Sequence, residues 1–154
     1  MQKILVPVDG SQRAEAAVKE GIRLAKAGAA REIHLLNVQA NIFSEPSMIY
    51  LEPEKMDTYY YEQSDKALTG PVDLLRQAGV SFTVHRAVGP VAETIVNRAR
   101  ELECDAIVMS TRGHGKVMGM LLGSVSTKVL HLADVPVTLV REPEPDFSGR
   151  LMAS

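Results

Sequence analysis

The chain has one cysteine and no tryptophan, and aromatic residues make up only 5% of its 154 positions. A lone thiol, Cys104, closes no intramolecular disulfide, which excludes the stapled fold of a small secreted domain. No apolar stretch approaches the ~20 residues of a membrane-spanning helix. The apolar run at 4–6 is too short for a signal-peptide core, and Pro7 follows it directly. These absences make the cytoplasm the expected compartment. Nor is one sign of charge in surplus: 17 Lys and Arg face 19 Asp and Glu, a formal net charge of −2. The signs are mixed along the chain, giving no basic footprint for nucleic acid and no polybasic patch for a membrane surface.

What is present suits a single globular domain, with 45% apolar and 23% charged residues. Short β-branched runs alternate with longer helical patterns. Residues 3–8 (KILVPV), 32–38, 80–88, 106–109 and 135–140 read as strands. Between them, Ser11 offers an N-cap to a helix whose Ala14, Ala17, Val18, Gly21, Ile22 and Ala25 share one face. A long helix is expected over 54–78, with Gly70-Pro71 as a point of kinking or splitting. Gly89-Pro90 opens another helix, and Ser124 starts the last, which runs to about 132. The domain is expected to span 1–141, with residues 142–154 a mobile tail or arm.

Strands alternating with helices imply parallel pairing through right-handed crossovers, with helices on both faces. The expected architecture is a doubly wound five-stranded parallel sheet, order 3-2-1-4-5. Ligands in such sheets sit beyond the carboxyl ends of the strands where the winding reverses, here between the first and fourth strands. The loops leaving those two strands are also the most distinctive in composition: Asp9-Gly10-Ser11, and residues 110–126, STRGHGKVMGMLLGSVS.

The second loop carries four glycines, hydroxyl side chains, Arg112, His114 and Lys116, and it feeds a helix at Gly123-Ser124. Exposed amides, a hydroxyl and the positive end of a helix make an anion site; the alternative is a glycine-rich turn with an ordinary serine cap. The Walker pattern fails, because Ser110 stands at its first glycine and Val117 follows Gly115-Lys116. The dinucleotide fingerprint fails at Met118. The order Ser110-x2-Gly113-x9-Gly123-Ser124, followed by Val125-Ser126, instead resembles G-x2-G-x9-G-[ST] of ATP-binding universal stress proteins. The resemblance continues in ILVPVDGS, VGPVAETIV, CDAIVMSTRGHG and VPVTLV, covering residues 3–140. Ser110 departs from it, adding a β-carbon where the family's backbone approaches the nucleotide.

The resemblance implies a Rossmann-like, adenine nucleotide alpha hydrolase-like fold that holds ATP, ADP or AMP, with Mg²⁺ arriving on the phosphates. It implies that Pro7, Val8 and Asp9 line the nucleoside, and that Val38 meets adenine. Met109, Ser110, Arg112 and Gly113 would hold ribose and phosphates, and Gly123, Ser124, Val125 and Ser126 the phosphate oxygens. It also implies a homodimer through the last strand, carried by Val135, Val137 and Leu139. Read as residues alone, Asp9 is equally a turn aspartate, Val38 core, and the loop cations solvated charge. No histidine pair has the i, i+4 spacing of a helical metal site, so a metal held by protein groups alone is not expected.

Three classes stay open: a nucleotide-binding stress regulator or sensor with unidentified protein partners, a slow ATPase, and a dimeric interaction protein without nucleotide. No G-x-S-x-G elbow and no general base beside the loop point to fast catalysis.

Overall fold

The computed structural model describes residues 2–41, 52–111 and 122–142. Arg112 and Gly113 of the expected site, together with His114, Lys116 and nearly all of the expected tail, lie outside them. Nine elements follow in chain order: β1 (Gln2–Pro7), α1 (Ala14–Lys26), β2 (Ala30–Gln39), α2 (Pro53–Ala78), β3 (Phe82–Val88), α3 (Val91–Glu101), β4 (Ala106–Ser110), α4 (Ser124–Leu132) and β5 (Val137–Val140). The strands form one parallel sheet in the order β3-β2-β1-β4-β5, as the alternation predicts.

Period-2 alternation along the strands feeds two cores. Ile4, Val6, Ile33, Leu35 and Val108 face α1 and α2, where Ala17, Val18, Leu68 and Leu75 cover them. Leu5, Leu36, Ile107 and Met109 face the other way, under Ile95 and Val96 of α3 and Val129 of α4. A sheet buried on both faces needs nearly continuous apolar strands, which explains why β1 reads as a run rather than an alternation.

Several boundaries differ from the sequence reading. The helix after Ser11 begins at Ala14, and Ser11 instead closes a turn whose oxygens receive the Ala14 N–H. β3 starts at Phe82 rather than 80. α2 runs unbroken through Gly70-Pro71, with Pro71 buried in the stripe Ser64, Ala67, Leu68, Pro71 and Leu75. Gly70 has no β-carbon for the proline ring to meet, which relieves one of the clashes that disfavour a helix before proline, while the missing N–H and the clash with the carbonyl four residues back remain. β5 begins at Val137, so Val135 precedes the strand and packs, half-buried, on the α3/α4 core. Val137 and Leu139 lie on β5 at the sheet edge, and their side chains also turn into that core.

Candidate functional site

The crevice at the switch point has a simple backbone cause. Val8 donates to Leu36 O at 2.8 Å and Asp105 donates to Lys3 O at 2.7 Å. Even residues of β1 thus pair with β2, and odd residues with β4. Pro7 falls on the β4 side and has no N–H to give. The β1–β4 register covers only Ile4↔Ala106 and Leu5↔Ile107, whereas β1–β2 continues to Pro7↔Leu36. Beyond Leu5 the two central strands therefore part, and their last residues open onto the crevice.

On the β1 side, Val8 is buried and its carbonyl accepts from the Asn37 side-chain amide at 2.9 Å. Gln39 Nε2 donates in turn to Asn37 Oδ1 at 2.8 Å. This buried amide ties the ends of β1 and β2 together and was missed in the sequence reading; an asparagine inside the apolar run LLNV is its signal. Asp9 is exposed, and its Oδ1 accepts from the Ser11 N–H at 2.9 Å and from the Ser11 hydroxyl at 2.6 Å. The tight turn places Gly10 at φ 87°, a left-handed conformation that favours glycine. Val38, half-buried at the end of β2, packs on the α3/α4 core next to Ala87 and Val91.

On the β4 side, Met109 is buried and Ser110 half-buried at the strand end. The Thr111 N–H extends the ladder to Val140 O at 3.0 Å, and the Thr111 carbonyl receives the Gly123 N–H at 2.7 Å. The same carbonyl accepts from the Ser126 hydroxyl, which also lies 3.1 Å from Gly123 O. A clamp at Thr111 therefore fastens both ends of the glycine-rich loop. Thr127 N–H makes the first bond of α4, to Gly123 O at 3.0 Å. The amides of Ser124, Val125 and Ser126 precede it in the first turn, where a helix supplies no internal acceptor, and no side chain among the described residues caps them. They are the positive end of a nine-residue helix set beside the crevice.

This arrangement sharpens two of the expected roles. Ser126 has one hydroxyl proton, spent on Thr111, so its contribution to an anion is its backbone N–H. Ser124 is exposed. The structure brings together Pro7, Val8, Asp9, Met109 and Ser110 at the ends of the parted strands, with Gly123 tied to them through Thr111. Val38 sits one strand further out. Among the described residues no group of three or more His, Cys, Asp and Glu side chains converges to hold a metal. No helix among them is long and apolar enough to cross a membrane.

Comparison with known proteins agrees with this geometry. A sequence model of the universal stress protein family matches residues 1–141. Universal stress protein YxiE of Bacillus subtilis is 32% identical over 146 residues, covering 90% of this chain and 98% of its own. Universal stress protein MJ0531 of Methanocaldococcus jannaschii is 30% identical, covering 94% of this chain and 85% of its own. Among solved structures, hypothetical protein MJ0577 superposes with a TM-score of 0.79 at 26% identity, over 94% of this chain and 98% of that one. A universal stress protein family protein from Arabidopsis thaliana with AMP bound shares the fold at a TM-score of 0.64 and 19% identity, over 97% and 99%. A universal stress protein in complex with cAMP does so at 0.68 and 23%, over 90% and 96%. The chain belongs to the universal stress protein family.

Proposed function

We propose that the chain binds an adenine nucleotide at the β1/β4 crevice and acts as a stress-response regulator or sensor whose ligand state alters its partners. The observation that carries this reading is the uncapped first turn of α4, where three amides stand beside the parted strands. Phosphate oxygens would take those amides, with Arg112 and Gly113 completing the cradle. The nucleoside would lie against Pro7, Val8 and Val38, with the Asp9 carboxylate accepting from ribose. The AMP and cAMP of two structural neighbours are consistent with an adenine ligand. ATP is the form that uses every phosphate contact, and Mg²⁺, which commonly keeps its waters, would be held through those phosphates. Among the described residues nothing at the crevice has the form of a general base beside a nucleophile, and any hydrolysis is proposed to be slow. A cytoplasmic homodimer through the β5 edge completes the proposal, since an open edge is a liability that pairing covers.

Ser110 favours a second reading, a dimeric interaction protein that works without nucleotide. Its β-carbon stands where the family motif has glycine. Release of bound nucleotide from freshly purified protein, identified by mass spectrometry, followed by calorimetric titration of the stripped protein with Mg-ATP, separates the two. Stoichiometric adenine nucleotide or micromolar binding supports the sensor. An empty protein giving no heat at millimolar ATP overturns it, and recovery of binding in Ser110→Gly would identify the cause.

A further inference from the structure

A cavity of about 540 Å³ lies along the outer edge of β3, on the far side of β2 from the crevice. Its walls come from opposite faces of the sheet: Tyr60, Tyr61 and Ser64 from α2, Thr94 and Arg98 from α3. The consecutive residues Arg86, Ala87 and Val88 line it as well. Successive strand residues point to opposite faces, so a cavity touching all three wraps the strand edge and has the β3 backbone as its floor. The Gly89 N–H bonds to Gln39 O at 3.0 Å. By the alternation of a parallel ladder, the N–H and C=O groups of Val84, Arg86 and Val88 then point away from β2 along one edge, those of Arg86 and Val88 into this groove.

Two side-chain features make the groove a site rather than a bare edge. The Ser64 hydroxyl is 2% exposed and has no hydrogen-bond partner among the described residues. Thr58 and Thr69 on the same helix satisfy theirs by donating to the carbonyls of Glu54 and Asp65, four residues back, at 2.9 and 2.8 Å. A buried hydroxyl left open costs free energy that a ligand atom would recover. The second feature is a pair of loosely held guanidiniums. Arg86 lies 3.5 Å from Asp65 and stacks 4.7 Å over the Tyr61 ring on the α2 side. Arg98 lies 3.7 Å from Glu101 on the α3 side. Both separations exceed the roughly 2.7–2.9 Å of a charge-assisted hydrogen bond, so donors remain for an incoming carboxylate.

We propose that the β3 edge is a docking site for an extended peptide segment with adjacent acidic side chains, added to the sheet as a sixth strand. Main-chain bonds to Val84, Arg86 and Val88 supply the affinity. Neighbouring side chains of an added strand point to opposite faces, so two successive carboxylates meet Arg86 on one side and Arg98 on the other. The exposed Val88 and Tyr61 form the apolar shelf beneath them. Asp57 and Glu101 also line the groove, which makes a basic peptide of the same pattern the decisive control. The inference is independent of nucleotide binding: Gln39 lines the groove and reaches the crevice through Asn37, and none of the residues proposed to touch the nucleotide takes part in it.

The test is a low-salt anisotropy titration of the full chain with fluorescein-labelled Val-Glu-Glu-Val-Glu-Val, end-blocked, against its lysine counterpart. The acidic peptide is expected to bind at least tenfold tighter. Val88→Pro removes one outward N–H, leaves the β2 ladder intact, and is expected to weaken binding at least tenfold at an unchanged unfolding midpoint. Arg98→Gln is expected to cost at least threefold for the acidic peptide alone. Should Val88→Pro fail to fold, hydrogen exchange on the unaltered protein decides: the amides of Val84, Arg86 and Val88 slow at least tenfold with peptide bound. No binding at millimolar peptide, equal binding of the lysine peptide, unslowed edge amides, or full displacement by free citrate would overturn the proposal, the last by marking a small-anion site instead.

Discussion

The two ends of the sheet treat their polar groups in opposite ways. At the amino end the chain closes on itself. Lys3 and Asp105 exchange bonds, the Lys3 N–H to Asp105 Oδ2 at 2.8 Å and the Asp105 N–H to Lys3 O at 2.7 Å. Cys104 is buried beneath them, and Arg100 pairs with Asp134 across the neighbouring turn. At the carboxyl end Pro7 withholds a donor, β1 and β4 part, and the first turn of α4 keeps its amides uncapped. One end spends its hydrogen bonds on stability, while at the other the first-turn amides of α4 have no side-chain cap among the described residues. Stability and ligand affinity should therefore respond to different substitutions.

The largest expected effect lies at the seam both ends share. Leu5 is fully buried at the last β1–β4 pair. Leu5→Ala should lower unfolding stability by about 2–5 kcal/mol in denaturant titration, the range for a large-to-small core substitution. An amino end that tolerated it would break the contrast.

Next comes the alkaline limb of stability. Burial pushes the Cys104 thiol up from 9.0 to about 11. Between those values the unfolded thiol has lost its proton and the folded one keeps it, so folding takes up a proton and stability falls as pH rises. The slope is roughly 1.4 kcal/mol per pH unit. The difference between wild type and Cys104→Ala isolates this contribution from other alkaline titrations. A flat difference between pH 9 and 11 would mean that the amino end is open to water.

At the carboxyl end, Ser126→Ala removes a clamp on the Thr111 carbonyl. It should cost about 1 kcal/mol of stability, the usual worth of one hydrogen bond. Its larger consequence should be on nucleotide affinity, because the ends of the proposed phosphate loop are then held, among the described residues, by the Gly123 N–H alone. A stability loss with unchanged affinity would detach the clamp from the site. The smallest effect is expected from Arg100→Ala: its partner Asp134 is solvent-exposed, and pairs of that kind rarely contribute measurably. The thermal midpoint should not move.

Much of this contrast can be read from composition and spacing. Strand order followed from the β/α alternation, and the crevice from where that order reverses. The motif glycines and serines then located the positive helix end. Three features were not legible, for physical reasons. The continuity of α2 through Pro71 goes with the burial of Pro71 in the stripe that packs on the sheet, a tertiary context the local proline signal does not contain. The start of β5 at Val137 rather than Val135 depends on tertiary packing against α3 and α4. The use of the Ser126 proton on Thr111 depends on a contact between residues 15 apart in sequence. Asn37 could have been found, since a polar residue inside an apolar strand needs a partner, but the sequence did not say which one. Arg112 and Gly113 stay with the proposal, outside the described residues.

The most direct test of the central claim is an amide ¹H–¹⁵N correlation map of the stripped protein titrated with Mg-ATP. Shifts are expected to concentrate at residues 8–10, 110–111 and 123–126, with the amides of Ser124, Val125 and Ser126 moving most and those of β3 hardly at all. An unchanged map at millimolar Mg-ATP, or shifts that leave the first turn of α4 untouched, would contradict it.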